Sequence, residues 1–384
     1  MHLLPYWRLS SYYFFYFAFI GVFFPYFGLY FQSLSLSAWD IGLLMSLMQF
    51  MRLFGPYLWG MIADRLGQRV PVIRFTGLAA LIVFTQFFFL TRFEWLFLVM
   101  VLLAVFWVAS LPLVEALTFD HLHEHAARYS RIRLWGSIGF IVAVMGAGAL
   151  LDHLPVFSLV WMTFALLAGI LMCSLLLPEA PTHHHLDEPA PVGEVMRQPQ
   201  VKALFAGCFL MSAAHAALNI FYSIFLTEHS YAKTLVGALF SLGVVAEIVV
   251  FVYMAPLMRR FSLRTILLAS FAVGIVRFVL IGCGADSLFA QVLAQLMHGI
   301  TFGAFHATAI AAVNRWFPGR LRARGQAIYS SLSFGAGGLF GGLLSGRVWD
   351  SLGGEAAMLL GTAYSLVGFL VVARWIPGGS MREQ

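Results

Sequence analysis

Charge is scarce in this sequence. Of 384 residues only 10% are Asp, Glu, Lys or Arg, against about 25% in ordinary soluble domains. A soluble chain of this length needs far more polar surface. That excludes a soluble enzyme, a nucleic-acid binder and a secreted domain as classes. Cysteine is scarce too. Cys173, Cys208 and Cys283 all fall in apolar runs, which excludes a disulfide framework. There is no cleaved signal signature, because the first apolar stretch, Leu9 to Phe31, is too long for one and lacks a small-residue cleavage site. No G-x-x-x-x-G-K-[ST] loop occurs, so ATP is not expected to drive this protein directly. Nor do the apolar runs hold a nucleophile–base pair or metal set of recognised spacing, which sets an intramembrane enzyme aside.

Apolar residues, at 61%, fill the space that charge leaves. A bilayer-crossing helix needs about 20 mostly apolar residues. Such runs lie near 9–31, 40–63, 71–91, 95–119, 132–151, 156–177, 200–227, 234–258, 264–284, 287–315, 323–347 and 355–375. The expected fold class is therefore all-α integral membrane, with about twelve spans. The 35 glycines and the 16% of aromatic residues suit close helix packing and interfacial belts. Basic residues fall almost entirely on one side of this arrangement, from Arg8 and Arg65 to Arg324 and Arg382. The other side holds Arg92, Lys233 and Arg347. The positive-inside rule then places both termini in the cytoplasm. The longest polar break, Pro178 to Pro199, has no apolar period and reads as a linker. It gives an expected organisation of residues 1–177 and 200–384 as two six-helix halves joined by 178–199, which points to parallel repeats.

Between spans two and three stands Gly60-Met-Ile-Ala-Asp64-Arg65-Leu-Gly67-Gln-Arg69. Gly60 is expected to let another helix approach closely. Asp64 ends the span and is available to a nearby base, Gly67 permits a tight turn, and Arg65 and Arg69 hold the loop inside. In this place the G-x-x-x-D-R-x-G-x-R pattern resembles the signature loop of the major facilitator superfamily. The matching place in the second half keeps Arg259, Arg260 and Arg264 but lacks the acid. The resemblance implies two six-helix bundles around a midplane cavity and alternating access by rocking.

A narrower match lies in spans four and five. Val114-Glu115-Ala116 and Arg131-Ile-Arg133-Leu-Trp135-Gly136-Ser137-Ile-Gly139-Phe140 resemble the lactose permease branch. That resemblance implies Glu115 and Arg133 as the charged pair gripping substrate and Phe140 as the stacking aromatic. Sugar transporters of the branch have Trp at the last position, so Phe140 argues against a sugar. Arg133-Leu-Trp-Gly-Ser, His215-Ala-Ala and Ser241-Leu-Gly-Val-Val-Ala-Glu247 resemble more closely the 3-phenylpropionate transporter group.

A charge at bilayer depth costs at least about 2.5–3.5 kcal/mol on insertion scales, so charged residues within spans are functional candidates. They are Arg52 in span two, Glu247 in span eight and Arg277 in span nine, with His298 and His306 in span ten. His215 and Asn219 are four apart in span seven and face the same way. Arg52, His215 and Asn219 join Glu115, Arg133 and Phe140 as the expected substrate site. Glu247, Arg277 and His298 take the places of an acid, an Arg and a His in the lactose permease branch, which implies proton coupling, with His306 as an alternate carrier. The branch has a further acid three residues after that His, and here Thr301 stands in its place.

Two histidine groups suggest metal: His121-Leu-His123-Glu124-His125, with an i, i+4 spacing, and His183-His184-His185 in the linker. Neither has a cysteine nor matches H-E-x-x-H, and both read as solvated loop, so no metal and no cofactor is expected. The expected function is secondary active transport, a proton symporter taking up a small organic solute, first an aromatic carboxylate of the phenylpropionate kind. A sugar or nucleoside symporter and a drug exporter are the alternatives. Expected partners are the small-molecule substrate, protons and membrane lipid, not nucleic acid. The chain is expected to work as a monomer in the cell inner membrane.

Overall fold

A computed structural model of the chain describes residues 4–122, 128–180 and 192–378. His123, Glu124, His125, the His183–His185 tract, Arg382 and the middle of the expected linker lie outside the described residues. Among the described residues there is no strand, and twelve helices are long and apolar enough to span a membrane. They are α1 (Tyr6–Ser33), α2 (Ala38–Leu66), α3 (Val70–Phe88), α4 (Phe93–Leu122), α5 (Tyr129–Leu151) and α6 (Ser158–Leu176) in the first half. The second half has α7 (Pro199–Glu228), α8 (Lys233–Arg260), α9 (Leu263–Cys283), α10 (Leu288–Trp316), α11 (Gly319–Leu352) and α12 (Gly354–Trp375). Each matches an apolar run of the sequence to within a turn or so. Helix is the form expected of such runs, because it satisfies every backbone polar group within the segment, as a lipid surrounding requires.

Three irregularities were not expected. α2 is interrupted by a turn at Arg52, Leu53 and Phe54 before it resumes at Gly55. Pro56 explains the break: it has no N–H to offer the carbonyl of Arg52, four residues earlier, and its ring crowds that carbonyl. α10 and α11 each contain a π-helical segment, Gly299–Ala304 and Ser331–Gly337. Both segments are rich in glycine, and such bulges recur at functional sites.

The chain groups into two compact units by contacts. The first comprises Met1–Leu36, Met51–His185 and Tyr231–Ala238, and the second Ser37–Phe50, Leu186–Ser230 and Leu239–Gln384. Thus the first half of α2 belongs with the second unit, and the first turns of α8 belong with the first. In the first unit α1 is the central helix, packed on α5 and α6, while α3 packs on α4 and α6. In the second unit α7 is central, packed on α11 and α12, while α9 packs on α12. α1 and α7 are the most deeply buried spans, six spans apart in sequence.

Candidate functional site

In the first unit, the close contact of α1 with α5 is made by glycine. A Cβ on Gly21 would lie 2.7 Å from the carbonyl oxygen of Phe140, and one on Gly139 would collide with the backbone of Phe14. This register brings Arg133 of α5 against α1, where its guanidinium lies over the ring of Phe17 at 3.7 Å. Glu115 of α4 accepts a hydrogen bond from the Tyr129 hydroxyl at 2.9 Å. Tyr129 in turn stacks on Phe119, 4.7 Å between centroids. Glu115 and Arg133 form no close ion pair, although the charge of Arg133 acts on Glu115; each also has its own aromatic partner. Arg52, at the break in α2, interacts electrostatically with Tyr16 of α1, which also feels Glu115 and Arg133. Tyr16 stacks flat on Trp107 of α4 at 4.4 Å. Tyr13, Tyr16, Trp107 and Tyr129 are thus the residues that connect the expected charges. Sequence reasoning missed them because aromatic residues are abundant throughout the chain.

The second unit holds a tighter cluster. Arg277 of α9 is fully buried. Its Nε donates to the Ala294 carbonyl at 2.9 Å, and its Nη1 donates to His215 Nε2 at 2.8 Å and to Thr301 Oγ1 at 3.0 Å. His215 Nδ1 lies 2.8 Å from the Met211 carbonyl. That carbonyl only accepts, so Nδ1 carries the proton and Nε2 offers its lone pair to the guanidinium. Every hydrogen-bond partner of Arg277 is neutral, and its Nη2 makes no hydrogen bond. Thr301, which stands where the lactose permease branch has an acid, is one of those partners.

Glu247 of α8 is met by His298, with 3.8 Å between Oε2 and Nε2. The π-helical segment of α10 makes that approach possible. A Cβ on Gly299 would lie 2.5 Å from the Ala246 carbonyl oxygen, and one on Gly303 3.3 Å from Glu247 Cγ. Glu247 thus meets His298 and Arg277 meets His215, and the two imidazole rings lie 5.7 Å apart. His298, Phe302 and His306 form a ladder of nearly parallel rings along α10, with centroid spacings of 5.3 and 5.8 Å. His306 Nδ1 is 2.6 Å from the Tyr329 hydroxyl. Asn219, one turn along α7 from the buried His215, is exposed.

The signature loop departs from expectation at Gly60. Nothing lies within 4 Å of a Cβ built there, so no helix uses it for a close approach. Gly67 adopts φ +66°, the left-handed conformation that its turn needs. Asp64 and Arg65 are exposed. Arg69, rather than Asp64, makes the ion pair, with Asp120 of α4. Glu179, beyond α6, accepts from the backbone N–H groups of Arg69 and Val70 at 3.1 and 2.8 Å. It caps the start of α3. Arg74 closes the end of α6, donating to the carbonyls of Ser174, Leu175 and Leu177.

Among the described residues no group of three or more His, Cys, Asp or Glu side chains is placed to hold a metal ion. Comparison with known proteins gives the arrangement a family. The sequence is 28% identical over 348 residues to the Escherichia coli (strain K12) protein named "Probable 3-phenylpropionic acid transporter", covering 89% of this chain and 90% of that one. It is also 28% identical over 371 residues to the maltose permease of Geobacillus stearothermophilus, covering 94% and 92%. The fold superposes on the crystal structure of the nucleoside transporter NupG with a TM-score of 0.86, at 21% identity, over 99% of this chain and 100% of that one. The family model described as "MFS_1 like family" matches residues 6–359. The chain belongs to that family, within the major facilitator superfamily, and is a multi-pass membrane transporter of small molecules.

Proposed function

We propose that this protein is a proton-coupled symporter that takes up a small aromatic carboxylate, with both termini in the cytoplasm and residues 1–177 and 200–384 as its two bundles. The observation that carries the substrate class is Arg277. A guanidinium buried at bilayer depth, with only neutral hydrogen-bond partners and an unpartnered Nη2, is a cation in want of an anion. A carboxylate fits its planar fork. The ring ladder of His298, Phe302 and His306 beside it suits an aromatic body. Similarity to a protein named for 3-phenylpropionic acid agrees with this chemistry. Arg52, Glu115, Arg133, Phe140 and Asn219 line the path or contact the solute. His215 holds Arg277 in place.

For the proton, the carrier is the Glu247–His298 pair. A carboxylate and an imidazole 3.8 Å apart feel each other's charge, and a small approach brings them within hydrogen-bond reach so that a proton can pass between them; Arg277 lies one ring away. Binding of the carboxylate at Arg277 changes the field at His298 and so ties proton uptake to solute. The test compares proton-driven uptake with counterflow in one batch of proteoliposomes, using labelled aromatic acids, sugars and nucleosides. The expected result is counterflow of an aromatic acid, and alkalinisation of the medium when that acid is added to intact cells. Glu247→Gln should abolish uphill accumulation and keep exchange, which needs no net proton movement. Accumulation by that variant against a gradient removes Glu247 from the coupling role. Counterflow of sugars or nucleosides alone replaces the substrate class.

A further inference from the structure

Two helix starts in this protein are held by carboxylates in matching ways. Asp152, just beyond α5, accepts from the backbone N–H groups of Lys233 and Thr234 at 2.8 and 3.0 Å, and from the Thr234 hydroxyl at 2.6 Å. Asp350, near the end of α11, accepts from the backbone N–H groups of Ala38 and Trp39, each at 2.9 Å. The first contact lies wholly within the first unit and the second wholly within the second. Four unpaired N–H groups begin every helix, and a carboxylate there also meets the positive end of the helix dipole.

The surroundings repeat residue by residue. Four positions before each aspartate is a glycine, Gly148 or Gly346. It abuts the carbonyl of the capped residue, Lys233 or Ala38. Four positions after each capped residue is another glycine, Gly237 or Gly42. A Cβ on these would lie 2.6 Å from the carbonyl oxygen of Val144 and 2.9 Å from that of Gly342, residues eight positions before the aspartates. The helices involved are α5 with α8 and α11 with α2, so each element of one contact is six spans from its counterpart. Counting spans in the orientation proposed above assigns all four helix ends to the outer side. Each held segment is only the start of a span whose remainder belongs to the other unit: α8 passes into the second unit after Ala238, and α2 into the first after Phe50.

We propose that Asp152 and Asp350 are positioning residues of the transport cycle, paired latches that hold the first turns of α8 and α2 closed on the outer face and must release them for that face to open. The proposal rests on the transporter reading and on the orientation given above. Burial opposes the charge on Asp152, but the Thr234 and Lys233 hydrogen bonds outweigh it and hold its carboxyl below the usual carboxylate value. The latch is therefore charged at any working pH, and it is broken by conformational change rather than by a proton. The contacts differ in one respect. α2 has its own cap, with Ser37 Oγ accepting from the Asp40 N–H at 3.1 Å. At the corresponding place before α8 stands Ala232, which has no side-chain acceptor.

The experiment is outer-face labelling of intact cells with a membrane-impermeant maleimide. Cys283, which is exposed, is first replaced by Ser. Reporter cysteines are then placed one at a time at Ser46 and Val144, both fully buried beside the latches. Labelling rate reports the population of the opened state. Asp350→Asn should raise the rate at the Ser46 reporter about fivefold, the scale of a lost N-cap. Asp152→Asn should raise it at the Val144 reporter by more than that, because α8 has no second cap. Thr234→Val removes one hydrogen bond and should give a smaller rise at the same reporter, so the proposal stays testable even if an Asn variant fails to insert. Unchanged labelling in variants that reach the membrane in normal amounts overturns it. Counterflow on the same protein tests the transporter reading separately, since its loss leaves the labelling differences standing.

Discussion

The two units handle buried charge in opposite ways. In the first, Glu115 and Arg133 each rest on an aromatic side chain and remain partly exposed, one under the Tyr129 hydroxyl and the other over the Phe17 ring. In the second, Arg277 is sealed among neutral acceptors, and the acid Glu247 is engaged by His298. Under the proposed function, the difference singles out Arg277 as the cation that an anionic solute would neutralise. Arg133 already has a face to lie on, worth up to about 2 kcal/mol when desolvated. Arg277 has hydrogen bonds but no neutralising charge, and in lipid depth that is the costlier condition.

The comparison is broken most directly at Arg277. Removing one member of a buried ion pair normally strands the other, at a cost of about 3–5 kcal/mol. Here there is no stranded carboxylate, since the partners are His215, Thr301 and a carbonyl. Arg277→Gln should therefore insert into the membrane in normal amounts, while solute binding falls at least about a hundredfold, as expected when a buried charged contact to a ligand is lost. Binding measured in detergent, alongside membrane yield, checks both halves. Poor insertion with retained binding would show that Arg277 has a carboxylate partner after all and that the two units are alike.

A smaller effect is expected at the first-unit pair. Glu115→Gln keeps an acceptor for Tyr129, and Arg133→Lys keeps a cation over Phe17. Each should weaken binding about tenfold, the scale of one charge-assisted hydrogen bond, without loss of insertion. Equal losses at Glu115, Arg133 and Arg277 would erase the contrast. A greater loss at Arg133 than at Arg277 would reverse it and move the principal anion contact to the first unit.

The sequence made the spans legible because hydropathy at this amplitude leaves helix as the only option in lipid, and the edges of α5, α7, α9 and α12 follow their apolar runs within a few residues. The depth of Arg277 and Glu247 was legible for the same reason. Their partners were not. His215 and Arg277 are 62 residues apart, and only packing of α7 against α9 and α10 joins them. The break at Arg52 had a local cause in Gly55-Pro56, a signal that the long apolar run around it obscured. The latch motif is a glycine four residues before an aspartate, too short to stand out until the helices it meets are known.

The smallest effects belong to the signature loop, where two glycines that look alike in sequence behave differently. At Gly139 a Cβ would collide with the Phe14 backbone, whereas at Gly60 it would meet open space. Gly139→Ala must push α1 away from α5, so it should lower membrane yield and disturb the Arg133–Phe17 contact. Gly60→Ala meets no obstacle in this conformation and gains the helix preference of Ala over Gly, about 0.5–1 kcal/mol in a helix interior. It should leave yield and equilibrium binding unchanged or slightly improved. Transport rate is the telling measurement. If α2 meets another helix at Gly60 in a different state of the cycle, the added methyl slows turnover while binding stays normal, and Asp64→Asn, which also removes nothing that is bonded here, should slow it in the same manner. If Gly60→Ala transports at the normal rate, the glycine serves no close approach in any state. The work of the loop then rests on Arg69 with Asp120 and on Glu179 at the start of α3.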